Sequence, residues 1–415
     1  MNAGPDQTIR LPNSATLNGT AFDDGLPSGT LTTKWSKASG PGTVTFGNAH
    51  ALSTTASFSA HGLYVLRLTA SDAAVSSTDE VAITVNAPLS IRVVGNNLVN
   101  GNGQIVRLLG VNRPGTEYSC VLHNAVFDGP TDAAAVQAMA SWNINTVRIP
   151  LNEHCWLGIN GANPASSGAT YQNAIVNFVN LLHQFNLYAI LDLHWGGPGT
   201  TLAIGRQVMA DQDHSPAFWT SVATKFKNDP AVLFDLYNEP NTISDSCWRD
   251  GCTTSDGWLA VGMQSLVNTV RATGATQPIL ISGNGHGNDL SGWLNFKPND
   301  PLLSLVASPH TYNFNECVTE SCWNSTFRPV AAVVPFVSAE IGEDDCAHGF
   351  IDTYMSWLDS VGAGYLGWGW VTAPCGTQPS LILDYSGTPT NYGIGLRNHL
   401  LNLTTQPALN SLTLK

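Results

Sequence analysis

Two glutamates stand at the ends of apolar runs that read as buried strands, in Leu236-Tyr237-Asn238-Glu239-Pro240 and in Ala339-Glu340-Ile341-Gly342. Ending such a strand on a carboxylate has a desolvation cost, so a compensating role is expected at both places. Two carboxylates facing each other suit cleavage of a glycosidic bond: one is protonated and donates to the leaving oxygen, the other is ionised and attacks or stabilises the anomeric carbon. A separation of roughly 5–5.5 Å serves the version of this chemistry that retains anomeric configuration. Comparable runs end on Arg148, on His194 and Trp195, on His310 and Tyr312, and on Trp368 and Trp370. Arg148 can hold one carboxylate ionised by charge pairing, and Tyr312 can hydrogen-bond the same group. His194 raises the question of a metal, but no second ligand stands at the usual spacing, so neither a metal nor any other cofactor is expected. Asp192, Asp235, Glu343, Asp344 and Asp345 are expected to be structural or peripheral.

Such residues converge only if the strands that carry them are parallel and share one rim. Eight short apolar strands can be read, at 106–111, 146–151, 188–194, 232–237, 278–282, 302–308, 333–339 and 364–371. Helical patterns fall between most of them, most clearly at 133–142, 174–185, 218–226, 257–271 and 350–358. That alternation predicts a parallel (β/α)8 barrel, in which functional side chains sit at the C-terminal strand ends. A doubly wound open sheet is the competing arrangement. It would require a glycine-rich phosphate loop after the first strand, and Pro114 in Gly110-Val111-Asn112-Arg113-Pro114-Gly115 removes an N–H donor there.

Residues 1–88 differ from the rest. They hold no Cys and no convincing helix, and period-2 runs at 14–19, 32–36, 63–68 and 81–85 are separated by turn residues, which predicts an all-β sandwich. Asn86-Ala87-Pro88 reads as a linker, and Ile91 to Val106 as a β-hairpin lid opening a second domain of residues 89–415. The first segment resembles the PKD family of immunoglobulin-like modules, through Ala3-Gly4-Pro5-Asp6-Gln7, Trp35, and Gly62-Leu63-Tyr64-Val65 leading to Thr69-Ala70-Ser71-Asp72. Such modules are spacers or weak binders, and Trp35 is expected in the core.

Residues from about 89 to 403 resemble glycoside hydrolase family 5, the cellulase-like family of retaining barrel hydrolases. The resemblance is carried, in order, by Thr146-Val147-Arg148-Ile149-Pro150, Leu191-Asp192-Leu193-His194, Leu236-Tyr237-Asn238-Glu239-Pro240, Ser308-Pro309-His310-Thr311-Tyr312 and Ala339-Glu340-Ile341-Gly342. It implies that Glu239 is the acid/base and Glu340 the nucleophile. Asn238 would bind the sugar 2-hydroxyl, Arg148 and Tyr312 would orient Glu340, and His194 and His310 would line the subsite of cleavage. Trp368 would form its aromatic floor, with Trp370 the second candidate. An endo-β-1,4-glucanase-like activity is the default expectation. The alternatives are an exo-acting glycosidase on another sugar and a non-catalytic carbohydrate-binding barrel. Glu117, Tyr118, Glu153, His154 and Trp156 follow the first two strands and are expected on the rim, where they would influence substrate choice.

Bulk composition agrees with this reading. Charged residues are 11% of the 415, about half the usual share, and the net charge is −13 without a Lys/Arg cluster, which argues against nucleic acid and anionic membrane as partners. A neutral polysaccharide or oligosaccharide fits better, and the chain is expected to be a monomer. The eight Cys include the close pairs Cys247/Cys252 and Cys317/Cys322 in polar segments, neither at zinc spacing, so disulfides and a secreted protein are expected. The sequence leaves the connectivity open; Cys120 with Cys155 and Cys346 with Cys375 are the pairings expected for the rest. Met1-Asn2-Ala3-Gly4-Pro5 reads as a mature start behind an initiator Met.

Overall fold

A computed structural model describes residues 1–26, 30–374 and 376–403. Two compact units divide the chain: Met1–Ser90 with Asn100–Gln104, and Ile91–Val99 with Ile105–Lys415.

In the first unit a four-stranded sheet runs in the order Gln7–Arg10, Ser76–Asn86, Gly62–Ser71, Thr32–Ser39, and a three-stranded sheet in the order Ala15–Asn18, Ser53–Phe58, Val44–Phe46. Alternation explains the pairing. Tyr64, Leu66, Leu68 and Ala70 are buried on one strand and Val81, Ile83 and Val85 on the next, while the residues between them face outward or are only partly covered. These side chains meet Leu17, Ala56 and Phe58 of the other sheet in one core, so the unit is a sandwich. Trp35 lies in that core, 1% exposed, and its Nε1–H donates to Ala51 O (3.1 Å), which satisfies the indole where water is excluded.

The second unit is a barrel of parallel strands: Leu109–Asn112, Thr146–Asn152, Tyr188–Trp195, Val232–Asp235, Ile279–Ile281, Leu305–Ala307 continued by His310–Tyr312, Val337–Gly342 and Gly364–Gly367. The sixth strand is split at Ser308-Pro309, because proline cannot donate to the ladder. Its first half pairs with the fifth strand and its second half with the seventh, and the eighth pairs with both the seventh and the first, so the ring closes. A Cβ at Gly110 would overlap the carbonyl of Thr146, so the first two strands approach this closely only because that position is glycine.

Several boundaries differ from the sequence reading. The seventh strand begins four residues later than expected, after Pro335, and Val333 is an exposed turn residue. Glu340 therefore lies inside the strand rather than at its tip. Val106 pairs with Leu98 in a three-strand antiparallel meander, Ile91–Val94, Asn97–Asn100 and Ile105–Val106, and not with the barrel. The meander sits at the N-terminal mouth, opposite the functional rim: Ile91 N–H donates to Pro230 O (2.9 Å) ahead of the fourth strand, and Asn96 Nδ2 to Ala331 O (3.1 Å) ahead of the seventh. The helix expected over 257–271 starts only at Met263; the preceding residues form a β-hairpin, Gly251–Thr253 with Leu259–Val261. A helix at Asn391–Leu403, buried through Tyr392, Leu396 and Leu400, was not expected.

Disulfides join Cys120 to Cys155, Cys247 to Cys252 and Cys317 to Cys322. Cys346 is also in a disulfide, and its expected partner Cys375 lies outside the described residues. Replacing Trp35 with Ala should cost the sandwich about 3–5 kcal/mol. The expected outcome in denaturant titrations of the full chain is an early separate transition, with the barrel transition unmoved; an unchanged profile would show that Trp35 is not the centre of that core.

Candidate active site

The C-terminal parts of the parallel strands and the residues just after them open on one cleft of about 910 Å³, whose lining includes His194, Asn238, Glu239, Tyr312, Glu340 and Trp368. Beneath it Arg148, with no exposed surface, projects from the second strand into a ring of acceptors. Its Nη1 donates to Glu340 Oε1 (2.7 Å) and Asn112 Oδ1 (3.0 Å), its Nε to Asp235 Oδ2 (2.9 Å) and its Nη2 to Asn238 Oδ1 (2.9 Å). Asp192 Oδ2 lies 3.0 Å from Nη2. Tyr312 OH donates to the other oxygen of Glu340 at 2.5 Å. Burial and the adjacent carboxylate push that phenol well above its usual range, which keeps it a donor.

Glu239 lies across the cleft. One oxygen each of Glu239 and Glu340, together with a ring nitrogen of His310, lie within 4.8 Å of one another. His310 Nδ1 is 3.1 Å from Glu239 Oε1 and 3.6 Å from Glu340 Oε2. Burial, reinforced by Arg148, holds His310 well below the usual histidine range, which favours the neutral ring, and Nδ1 is the nitrogen that faces the carboxylates. His194 is depressed to about 3, chiefly by burial; its Nδ1 is bonded to Asp192 Oδ2 (2.6 Å), and its ring stacks on Trp368 at 5.2 Å and 13°.

All eight predicted site residues thus meet around one centre. Trp370 does not: it is fully buried, edge-on to Trp142. Of the five expected rim residues, only Glu117 and Tyr118 line the cleft. Glu153, His154 and Trp156 are buried because Asn152 accepts from His154 N (3.0 Å) and Cys155 N (3.1 Å), capping a short helix, Glu153–Leu157, that turns them inward. Asp192 and Asp235 are structural, as expected, but directly beneath the site. Arg206 and His286 were missed; both lie beside Glu239 on segments without periodic pattern. Glu153, His154 and His214 have metal-ligand types in proximity. However, His154 uses both ring nitrogens, Nδ1 for Ala203 N–H (2.9 Å) and Nε2 for Gly197 O (3.0 Å).

Burial pushes Glu117 up to about 8, although Gly115 N–H donates to its Oε2. A carboxyl raised in the fold binds its proton there while the unfolded chain has already lost it. Its contribution to stability therefore falls as pH rises from about 4.5 towards 8, by at most about 1.4 kcal/mol per pH unit. Glu117→Gln should flatten the decline of unfolding free energy between pH 5 and 8, and a slope equal to wild type would contradict this protonation state.

Known proteins align with this geometry. The family model for cellulase (glycosyl hydrolase family 5) matches residues 99–373, and a PKD domain model matches residues 3–85. Endoglucanase 1 of Saitozyma flava is 28% identical over 345 residues, which are 73% of this chain and 90% of that protein. A mannan endo-1,4-beta-mannosidase of Streptomyces lividans is 22% identical over 290 residues, 68% of this chain and 66% of its own length. Among solved structures, the catalytic domain of the major endoglucanase from Xanthomonas campestris pv. campestris superposes with a TM-score of 0.58 at 19% identity, covering 74% of this chain and all of that one. A beta-glucanase from Saccharophagus degradans in complex with cellotetraose also gives 0.58 at 19%, covering 76% and 94%. With the family match running through every strand that delivers the buried cluster, this chain belongs to glycoside hydrolase family 5 and carries a PKD-type module ahead of its barrel.

Proposed function

We propose that this protein is a secreted hydrolase that cleaves β-1,4-linked glucan internally, with retention of configuration, and needs no cofactor. The observation that carries the reading is the asymmetry of two carboxylates with oxygens within 4.8 Å. Glu340 has a donor on each oxygen, the buried Arg148 and Tyr312, which suits a nucleophile that must be ionised. Glu239 has His310 on one oxygen and no hydrogen-bond partner on the other, which suits a group that gains and loses a proton. Glu340 attacks the anomeric carbon while Glu239 protonates the departing oxygen; Glu239 then takes a proton from water as that water displaces Glu340. Asn238, held by Arg148, presents its amide to the sugar 2-hydroxyl, and Trp368, stacked on His194, forms an aromatic floor.

Glucan is favoured by the endoglucanase relatives and by the structural neighbour solved with cellotetraose. The mannanase relative supports β-mannan as the second reading. Secretion is supported by the disulfides, three of them complete among the described residues. The sandwich is proposed as a spacer or weak polysaccharide binder.

A screen of cello-, manno-, xylo- and laminari-oligosaccharides, with product anomers followed by NMR, tests substrate and stereochemistry together; an inverted first product would exclude the double displacement. Glu239→Ala should lower turnover of an oligosaccharide by about 10²–10⁴-fold. Azide should rescue that variant with retained configuration, but Glu340→Ala with inverted configuration; the reverse pattern would exchange the two roles.

A further inference from the structure

The cleft-facing oxygen of Glu239 is not empty. Oε2 has no hydrogen-bond partner, yet Arg206 Nη1 meets it in an ion-pair contact and His286 Nδ1 stands 3.9 Å away. Arg206 comes from the segment between the third strand and the helix Ser215–Phe226. Its neighbours fix its placement. Gln207 N–H donates to Tyr237 OH (3.1 Å), and that hydroxyl donates to Gln207 O (2.8 Å). Asn241 N–H donates to Val208 O (3.0 Å). Tyr237 and Asn241 are both two residues from Glu239, so the backbone beside Arg206 is tied to the stretch that carries the carboxylate. The side chain is 49% exposed and can leave the contact with little desolvation cost. It is the one Arg or Lys among the described residues that line the cleft.

A permanent cation at this position opposes the first step. Opposite charge favours the ionised carboxyl, whereas Glu239 must be protonated to release the leaving sugar. The guanidinium also occupies the oxygen that His310 leaves available. We propose that Arg206 is a positioning residue that caps Glu239 in the empty cleft, is displaced by the sugar entering the leaving-group subsite, and returns when that sugar departs. The proposal rests on Glu239 being the acid/base.

The proton then follows the cap. With Arg206 displaced, Glu239 takes up a proton from solvent and passes it to the glycosidic oxygen as the bond from carbon 1 to that oxygen breaks and the bond to Glu340 forms. The departing sugar carries the proton as its hydroxyl. Arg206 swings back over the new carboxylate, which favours the ionised form required to accept a proton from the attacking water. The other groups facing Glu239 are His286 after the fifth strand, His310 on the sixth and Glu340 on the seventh. Both histidines are held below their ordinary range, chiefly by burial, which leaves Arg206 as the fixed positive charge at this oxygen.

The test is the pH dependence of kcat/KM, which reports the free enzyme, and of kcat, which reports the loaded one. The substrate is cellotetraose, replaced by mannotetraose if only the latter is cleaved. In the wild type the basic limb should lie at lower pH for kcat/KM than for kcat. Arg206→Gln should raise the kcat/KM limb by about one pH unit or more and the kcat limb by less. Arg206→Lys, which keeps the charge, should keep the wild-type separation. An unshifted kcat/KM limb in an Arg206→Gln protein with wild-type melting temperature would overturn the proposal. So would equal movement of both limbs, or complete inactivity of that folded variant. The role of Glu239 itself is checked separately with the 2,4-dinitrophenyl β-glycoside of the disaccharide whose tetramer the wild type cleaves, because that leaving group needs no proton. Glu239→Gln should still release a burst of dinitrophenolate, and absence of the burst would remove the acid/base assignment whatever Arg206 does.

Discussion

Arg148 has no access to water, and the groups around it are arranged by that fact. A buried guanidinium that lacked partners would cost several kcal/mol, so the barrel supplies Asn112, Asp192, Asp235 and Glu340 from the first, third, fourth and seventh strands, and Asn238 from just beyond the fourth. Three carboxylates on one cation leave an excess of negative charge in a place where charge is expensive. Burial raises Asp192 and Asp235 above the usual carboxylate range, and Arg148 opposes that shift at both. Glu340 is the member of the three that also receives a phenol hydrogen bond. The same cation thus satisfies the packing problem at the barrel centre and orients the two side chains, Asn238 and Glu340, that face the cleft.

The parts of the site legible in the sequence share a physical cause. A strand of a parallel barrel is covered on both sides, so its polar residues stand out against Val, Ile and Leu, and the rim position of His194, Glu239 or His310 follows from where the apolar run stops. Strand limits were less legible, because proline punctuates a ladder without ending it. Pro309 only divides the sixth strand, whereas Pro335 separates the exposed Val333 from the strand that holds Glu340. Residues after the second strand were misplaced for a different reason. Glu153, His154 and Trp156 have the look of an open loop, and one cap by Asn152 winds them into a helix that points inward. Arg206 and His286 carried no signal at all, since their proximity to Glu239 is created by bonds from their segments to Tyr237 and Pro240, residues distant in sequence.

The two units illustrate two routes to a buried core. In the sandwich each strand has one inward face, and period-2 alternation marks it residue by residue. In the barrel all seven residues of Thr146–Asn152 are buried, so alternation vanishes and only composition and length speak. The polar interior at Arg148, Asp192 and Asp235 is tolerated only as a connected network, whose outer members Asn238 and Glu340 reach the cleft.

Two of the disulfides close loops of very short span: Cys247 with Cys252 and Cys317 with Cys322, each separated by five positions, the second pair on the cleft wall. An endoproteinase that cuts between the members of either pair opens a peptide bond without separating the chain, because the sulfur bridge still joins both sides. A single nick at these rims therefore leaves the molecule covalently continuous, whereas the same cut in the Arg206 segment would divide it. The wall built by Cys317 and Cys322 thus keeps its covalent continuity after one cut, and the arm over Glu239 does not.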